Sequence, residues 1–172
     1  MLCKDYRELQ GRFDKLVSIE MIEAVGYEYY SNYFRQCSDL LASDGLMMIQ
    51  AITIPDQRFE QARRSVDFIK RYIFPGGCLP SLSEIGNQLA DHTDMCLLDL
   101  KDMTLDYAQT LYLWREEFNK SLPEIRSMGF DERFNRMWEY YLCYCEGGFT
   151  ERAIGTSQLL MAKPGYRRTQ QG

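Results

Sequence analysis

FDKLVSIEMIEAVG, from Phe13 to Gly26, is the stretch on which the fold turns. Its centre, Lys15 to Ile19, is a short β-rich run that ends at a carboxylate, Glu20. Such a run suits a central parallel strand, buried on both faces. Tyr27 to Leu41 follows as a helix, with Tyr30, Tyr33, Phe34, Cys37, Leu40 and Leu41 at helical spacing. Ser43-Asp44-Gly45 breaks it. Leu46 to Ile54 is a second strand, apolar except for Gln50 and Thr53, and Pro55 stops it. Strand, helix and strand in this order make a βαβ unit with a right-handed crossover. The unit opens the sequence, so no strand is evident to pair with the outer edge of the first one.

Downstream, Asp56 to Tyr72 reads as one amphipathic segment carrying Arg58, Arg63, Arg64, Lys70 and Arg71. Ser81, with Glu84 three residues on, has the pattern of a capping box. Met95 to Leu100 is a third strand. Asp106 to Met128 is a long helix that Pro123 should kink or split. Asp131 to Phe149 is another helix, with Gly147-Gly148 weakening its end. Thr156 to Ala162 is the last strand, closed by Pro164-Gly165. Residues 1–165 thus form one domain, an α/β sheet flanked by helices, and residues 166–172 a polar tail that frays.

Composition narrows the function. A net charge of −5 argues against a general nucleic-acid binder, which would show a basic balance. The six cysteines have neither a secretory signal nor a framework spacing, so they read as reduced thiols. With no CxxC pair and His92 as the single histidine, a metal site is not expected. No run approaches the ~20 apolar residues that span a bilayer. The expectation is a cytoplasmic chain that meets membrane only peripherally, at the inner face.

In open α/β sheets, ligands bind beyond the carboxyl ends of the strands. Glu20 and Glu23 follow the first strand and Gln50 lies in the second, so the three converge on one rim. The same spacing also suits a solvated loop and a helix start, where glutamate favours the positive end of the dipole. Gln50 is the stronger signal, because a buried amide must find partners. Tyr141 lies on the apolar stripe of its helix between Trp138 and Cys145, and equally suits a core tyrosine satisfied locally. Gly76-Gly77, between Pro75 and Pro80, suits a lid hinge better than a phosphate cradle. Cys78 has no histidine near it in sequence, and His92 sits in a polar turn.

Five ordered strings carry a resemblance: SIEMIEAVG, LMMIQAITIP, SVDFIKRYIFPGGCLPS, YAQTLYLWREEF and GFDERFNRMWEYYLCYCEGGF. Between Tyr6 and Lys163 the chain resembles the cyclopropane-fatty-acyl-phospholipid synthases and mycolic-acid methyltransferases. The resemblance implies a partial Rossmann-like class I methyltransferase fold, with the C-terminal strands of the sheet and a helical lid over an acyl channel. It implies S-adenosylmethionine as co-substrate and an unsaturated phospholipid acyl chain as acceptor, converted to a cyclopropane. It also implies a bicarbonate ion held by Glu23 and Tyr141. Gln50 stands where the family often has histidine; glutamine still donates through its NH₂ but cannot titrate. Tyr33, Phe74, Trp114, Trp138 and Tyr140 are candidate walls of the pocket. Arg63, Arg64, Lys70 and Arg71 would meet anionic head groups, or simply form a solvated helix face.

The departure from the family is the lack of a GxGxG loop. The segment from Asp5 to Phe13 resembles only what precedes the family's fourth strand. The expectation is therefore that the N-terminal cofactor-binding strands are missing, and no cofactor-binding residue can be named. Two alternatives stay open. One is a non-catalytic paralogue that binds lipid or protein, or pairs through its free strand edge. The other is a fatty-acyl methyltransferase without ring closure. A homo-oligomer is compatible with either.

Overall fold

The computed structural model describes residues 3–167. After a 3-10 turn (Tyr6–Glu8), the elements are β1 (Phe13–Ile19), α1 (Ile22–Val25), a 3-10 turn (Tyr27–Tyr29), α2 (Tyr30–Leu40), β2 (Leu41–Thr53), α3 (Asp56–Arg64), α4 (Phe68–Tyr72) and α5 (Leu82–His92). Then come β3 (Cys96–Asp102), α6 (Thr104–Lys120), α7 (Leu122–Ser127), α8 (Glu132–Thr150) and β4 (Gly155–Ala162). The expected tail falls largely outside the described residues.

The sheet order is β1-β2-β4-β3. β1 and β2 are parallel, with Lys15 opposite Leu46 and Ile19 opposite Gln50. β4 runs antiparallel to β2, placing Gln158 opposite Gln50, and β3 runs antiparallel to β4. The βαβ unit is as expected. Among the described residues β1 is an edge strand, and only Ser18 in it is buried. Val17 and Ile19 are 60% and 59% exposed, because no described strand or helix covers their side.

Residue alternation in β2 assigns its two faces. Met47, Ile49 and Ala51 are buried, whereas Leu46, Met48, Gln50 and Ile52 are half-buried. The buried face packs under α2 and α5 through Tyr30, Tyr33, Phe34, Ile85 and Leu89. Two buried phenols there are satisfied: Tyr30 donates to the Cys78 carbonyl at 2.6 Å and Tyr33 to Ser18 Oγ at 2.7 Å. Tyr33 thus belongs to this core and is no pocket wall.

Several boundaries differ from the periodicity. α2 starts at Tyr30, because Gly26 takes φ 87° and the chain first makes a 3-10 turn. β2 begins at Leu41, which pairs with Phe13 ahead of the expected break. The register then shifts, and Gly45 lets the strands approach: a Cβ there would lie 3.2 Å from the Asp14 carbonyl. The amphipathic segment is two helices, parted where Ser65 is extended and Asp67 caps α4 through the Lys70 amide at 2.9 Å. Pro123 does split its helix, entering the first turn of α7. Ser81 caps α5 through the Glu84 amide at 3.1 Å. Gly147-Gly148 does not fray α8. The helix runs on to Thr150, held by the buried Phe149, and Ile154 packs directly on Gly148.

α6 and α8 pack on each other and cap the half-buried face at the C-terminal end of β2. Ala108, Leu111, Leu142 and Phe149 form this second core, with Ile52, Tyr107, Trp138 and Tyr141 around it.

Candidate functional site

The parallel pairing of β1 and β2 brings the ends of both strands to one rim. Immediately after β1, Glu20 takes φ 50°, and its amide donates to the Gln50 carbonyl at 2.8 Å. This turn points the chain into α1, whose first turn holds Glu23.

A chain of hydrogen bonds crosses the sheet from there. Gln158 Nε2 donates to Gln50 Oε1 at 2.9 Å. Gln50 Nε2 donates to Glu20 Oε1 at 2.8 Å. Tyr107, from α6, donates its hydroxyl to Glu20 Oε2 at 2.6 Å. Both carboxyl oxygens of Glu20 therefore accept, and each donor comes from a different element. The half-buried amide expected to need partners has them on both ends.

Glu23 sits three residues after Glu20 on the same rim. Its Oε1 accepts the Ile52 amide at 2.5 Å, and its Oε2 is buried without a partner. The FPGGC loop fastens this segment: the Cys78 amide donates to the Glu23 carbonyl at 2.8 Å. Burial pushes the Glu23 carboxyl up to about 7. Hydrogen bonds from its own amide and that of Ile52 oppose the shift, and the charge of Glu20 adds to it. A carboxyl tuned in this way exchanges a proton near neutral pH.

Tyr141 faces the site from α8. Its ring lies 5.1 Å from Trp138 and 6.3 Å, edge-on, from Phe74. Burial, then the nearby Cys145 and Glu20, push its phenol up to about 12. The Tyr107 phenol is also raised, first by burial and then by its bond to Glu20. Both phenols stay protonated at neutral pH and are available as donors.

Of the sequence candidates, Gln50 is thus tied to Glu20, and Glu23 to the neighbouring Ile52. Tyr141 makes no hydrogen bond to either among the described residues, although it senses the Glu20 charge. Tyr107 and Gln158 were missed. Gln158 carries the same signal as Gln50, a glutamine in an apolar strand, and Tyr107 opens one of the matched strings. Among the candidate walls, Phe74 and Trp138 pack against Tyr141. Tyr140 instead turns to Phe68, at 4.7 Å. Trp114 is 52% exposed. Of the basic residues, Arg63 and Arg64 are paired with Glu60 at 2.8 and 2.9 Å, and Lys70 donates to the Ala62 and Ser65 carbonyls. That favours the solvated helix face. No helix among the described residues is long and apolar enough to cross a membrane.

Comparison with known proteins shows the family and the fold. Tuberculostearic acid methyltransferase UfaA1 of Mycobacterium tuberculosis is 42% identical over 164 residues, which is 95% of this chain and 38% of that protein. The cyclopropane-fatty-acyl-phospholipid synthase of Escherichia coli K12 is 35% identical over 95% of this chain and 41% of its own length. The chain therefore spans about two-fifths of these relatives. Among solved structures, the cyclopropane synthase MmaA2 of Mycobacterium tuberculosis superposes with a TM-score of 0.84 at 24% identity, over 94% of this chain and 59% of that one. Mycolic acid cyclopropane synthase CmaA1, solved with SAH and CTAB, gives 0.84 at 25% identity over the same shares. The fold is that of the class I methyltransferases, represented by the part of the sheet described above. The profile of the family described as mycolic acid cyclopropane synthetase matches residues 1–159, and the chain belongs to that family.

Proposed function

We propose that this chain forms the acyl-facing part of an S-adenosylmethionine-dependent methyltransferase that acts on the double bond of an unsaturated fatty-acyl chain. The observation that carries the reading is the Glu23 carboxyl, buried at the strand rim with its titration near 7, beneath the aromatic side chains of α6 and α8. The relatives named for fatty-acyl methyl and methylene transfer support it.

In this chemistry the alkene π pair forms a C–C bond to the sulfonium methyl, and the C–S pair leaves with sulfur. The neighbouring carbon becomes a cation. A proton then leaves the transferred methyl, and its C–H pair closes the cyclopropane ring. The chain's residues suit these demands. Trp138 and Tyr141, both half-buried, offer ring faces to a cation, and Phe74 packs edge-on against Tyr141. The acceptor in this reading is a phospholipid acyl chain, reached by peripheral contact with a membrane. A second outcome, methyl transfer without ring closure, is favoured by the higher identity to the tuberculostearic acid methyltransferase.

The bicarbonate ion that the resemblance brings does not fit these residues well. One N–H of the Gln50 NH₂ is engaged by Glu20, and the Ile52 amide by Glu23. An anion would sit beside two carboxyl groups, and no arginine or lysine is bonded to either among the described residues. No step is routed through it.

The test is to incubate the complete protein with methyl-deuterated S-adenosylmethionine and vesicles of an unsaturated phospholipid, followed by lipid mass spectrometry. Label should enter the acyl chain, and mild hydrogenation before mass spectrometry separates the two outcomes, because a methylene-branched alkene takes up two hydrogens and the isomeric ring does not. Glu23→Ala and Tyr141→Phe should each lower turnover about 10²-fold with the fold intact. Near-normal turnover in both would remove this rim as the active site.

A further inference from the structure

Glu20 is a non-glycine residue in the left-handed region, at φ 50°, where a side chain is disfavoured and glycine is at ease. Nothing in the turn itself requires a carboxylate. The structure nevertheless dedicates three side chains to it. Tyr107 and Gln50 each donate to one of its oxygens, and Gln158 fixes the orientation of Gln50 from behind. Every group in the network is thereby oriented to present Glu20 as an acceptor, and each oxygen keeps a second lone-pair direction free. The same network engages one N–H of Gln50 and the Tyr107 hydroxyl, and its carboxylate stands where a bound anion would be repelled.

We propose that Glu20 is the fixed anion and proton acceptor of this site, taking the place of a bound ion, with Tyr107, Gln50 and Gln158 as its positioning residues. This deepens the methyl-transfer reading and rests on it. When the cation forms beside the transferred methyl, a proton passes from that methyl to the Glu20 carboxylate. The C–H electron pair becomes the new C–C bond of the ring or, where a 1,2-hydride shift has first moved the cation to the carbon that bears the methyl, the second bond of a methylene C=C. The resulting carboxylic acid returns its proton to water as product leaves. Glu23, one oxygen tied to the Ile52 amide and the other enclosed, is the less accessible acceptor.

The experiment compares wild type, Glu20→Gly and Glu20→Gln in the complete protein. Glycine suits the backbone at this position, so Glu20→Gly keeps the turn while opening space for a small anion. In buffer purged of carbon dioxide, wild-type turnover should be unaffected by added bicarbonate. Glu20→Gly should fall about 10²-fold and regain at least about tenfold with bicarbonate or formate, whereas Glu20→Gln should fall without rescue. Adding Tyr107→Phe to Glu20→Gln should cost nothing further, because both act through one group. A second readout needs no turnover: the ¹³C NMR line of [¹³C]bicarbonate should broaden with Glu20→Gly and not with wild type. A wild type that depends on bicarbonate and broadens its line, with Glu20→Gly changing neither, overturns the proposal. If wild type transfers no methyl to any acyl lipid, the function reading fails and the NMR comparison alone decides Glu20. Equal broadening, or none in either protein, then overturns it.

Discussion

The two faces of this sheet are made from alternate residues of the same strands, yet they obey different rules. Under α2 and α5, Met47, Ile49 and Ala51 meet Phe34, Tyr33 and Tyr30, and the phenol hydroxyls are bonded inside the core. On the other face, Gln50 and Gln158 stand between apolar neighbours and lead outward to Glu20 and Tyr107. The first face stabilises the protein by removing apolar area from water. The second gives up part of that stability to hold polar groups in a fixed arrangement, as functional sites do.

Breaking the sealed face should have the largest effect on folding. Phe34→Ala, at a fully buried position, should cost about 3–5 kcal/mol in urea unfolding. A loss of under about 1 kcal/mol would mean that this face is not the core.

The next effect separates the faces by pH. The Glu23 carboxyl is raised from 4.5 to about 7 in the folded chain, so folding takes up a proton across that window. Its contribution to stability is fully present below pH 4.5 and is lost as pH rises through about 7, amounting to up to about 3 kcal/mol. Glu23→Gln should flatten this part of the stability–pH curve. An unchanged slope in the variant would place the titration elsewhere.

Gln158→Leu sharpens the contrast on the polar face. It leaves Gln50 Oε1 without its donor and should destabilise by about 1–2 kcal/mol, less than the loss at Phe34. Smallest of all, Arg64→Ala breaks only an exposed pair with Glu60 and should leave Tm unchanged within error.

The amino-acid sequence by itself determined where the strands and helices lie, because apolar periodicity is a local property. It marked Pro123 as a helix break, Ser81 as a cap and Gln50 as an amide in need of partners. It also determined the family, through ordered strings that survive without their three-dimensional context. Tertiary structure alone decided that β4 lies between β2 and β3, since strand order depends on packing between distant segments. It decided that α8 continues through Gly147-Gly148, where packing of Phe149 outweighs local propensity. The partners of Glu20 were decided there as well. Tyr107 lies 87 residues away from it, and Gln158 lies 108 residues from Gln50. No local pattern encodes such pairings, because a hydrogen bond depends on position in space, and only the packing of α6 and β4 against β2 brings those donors within reach.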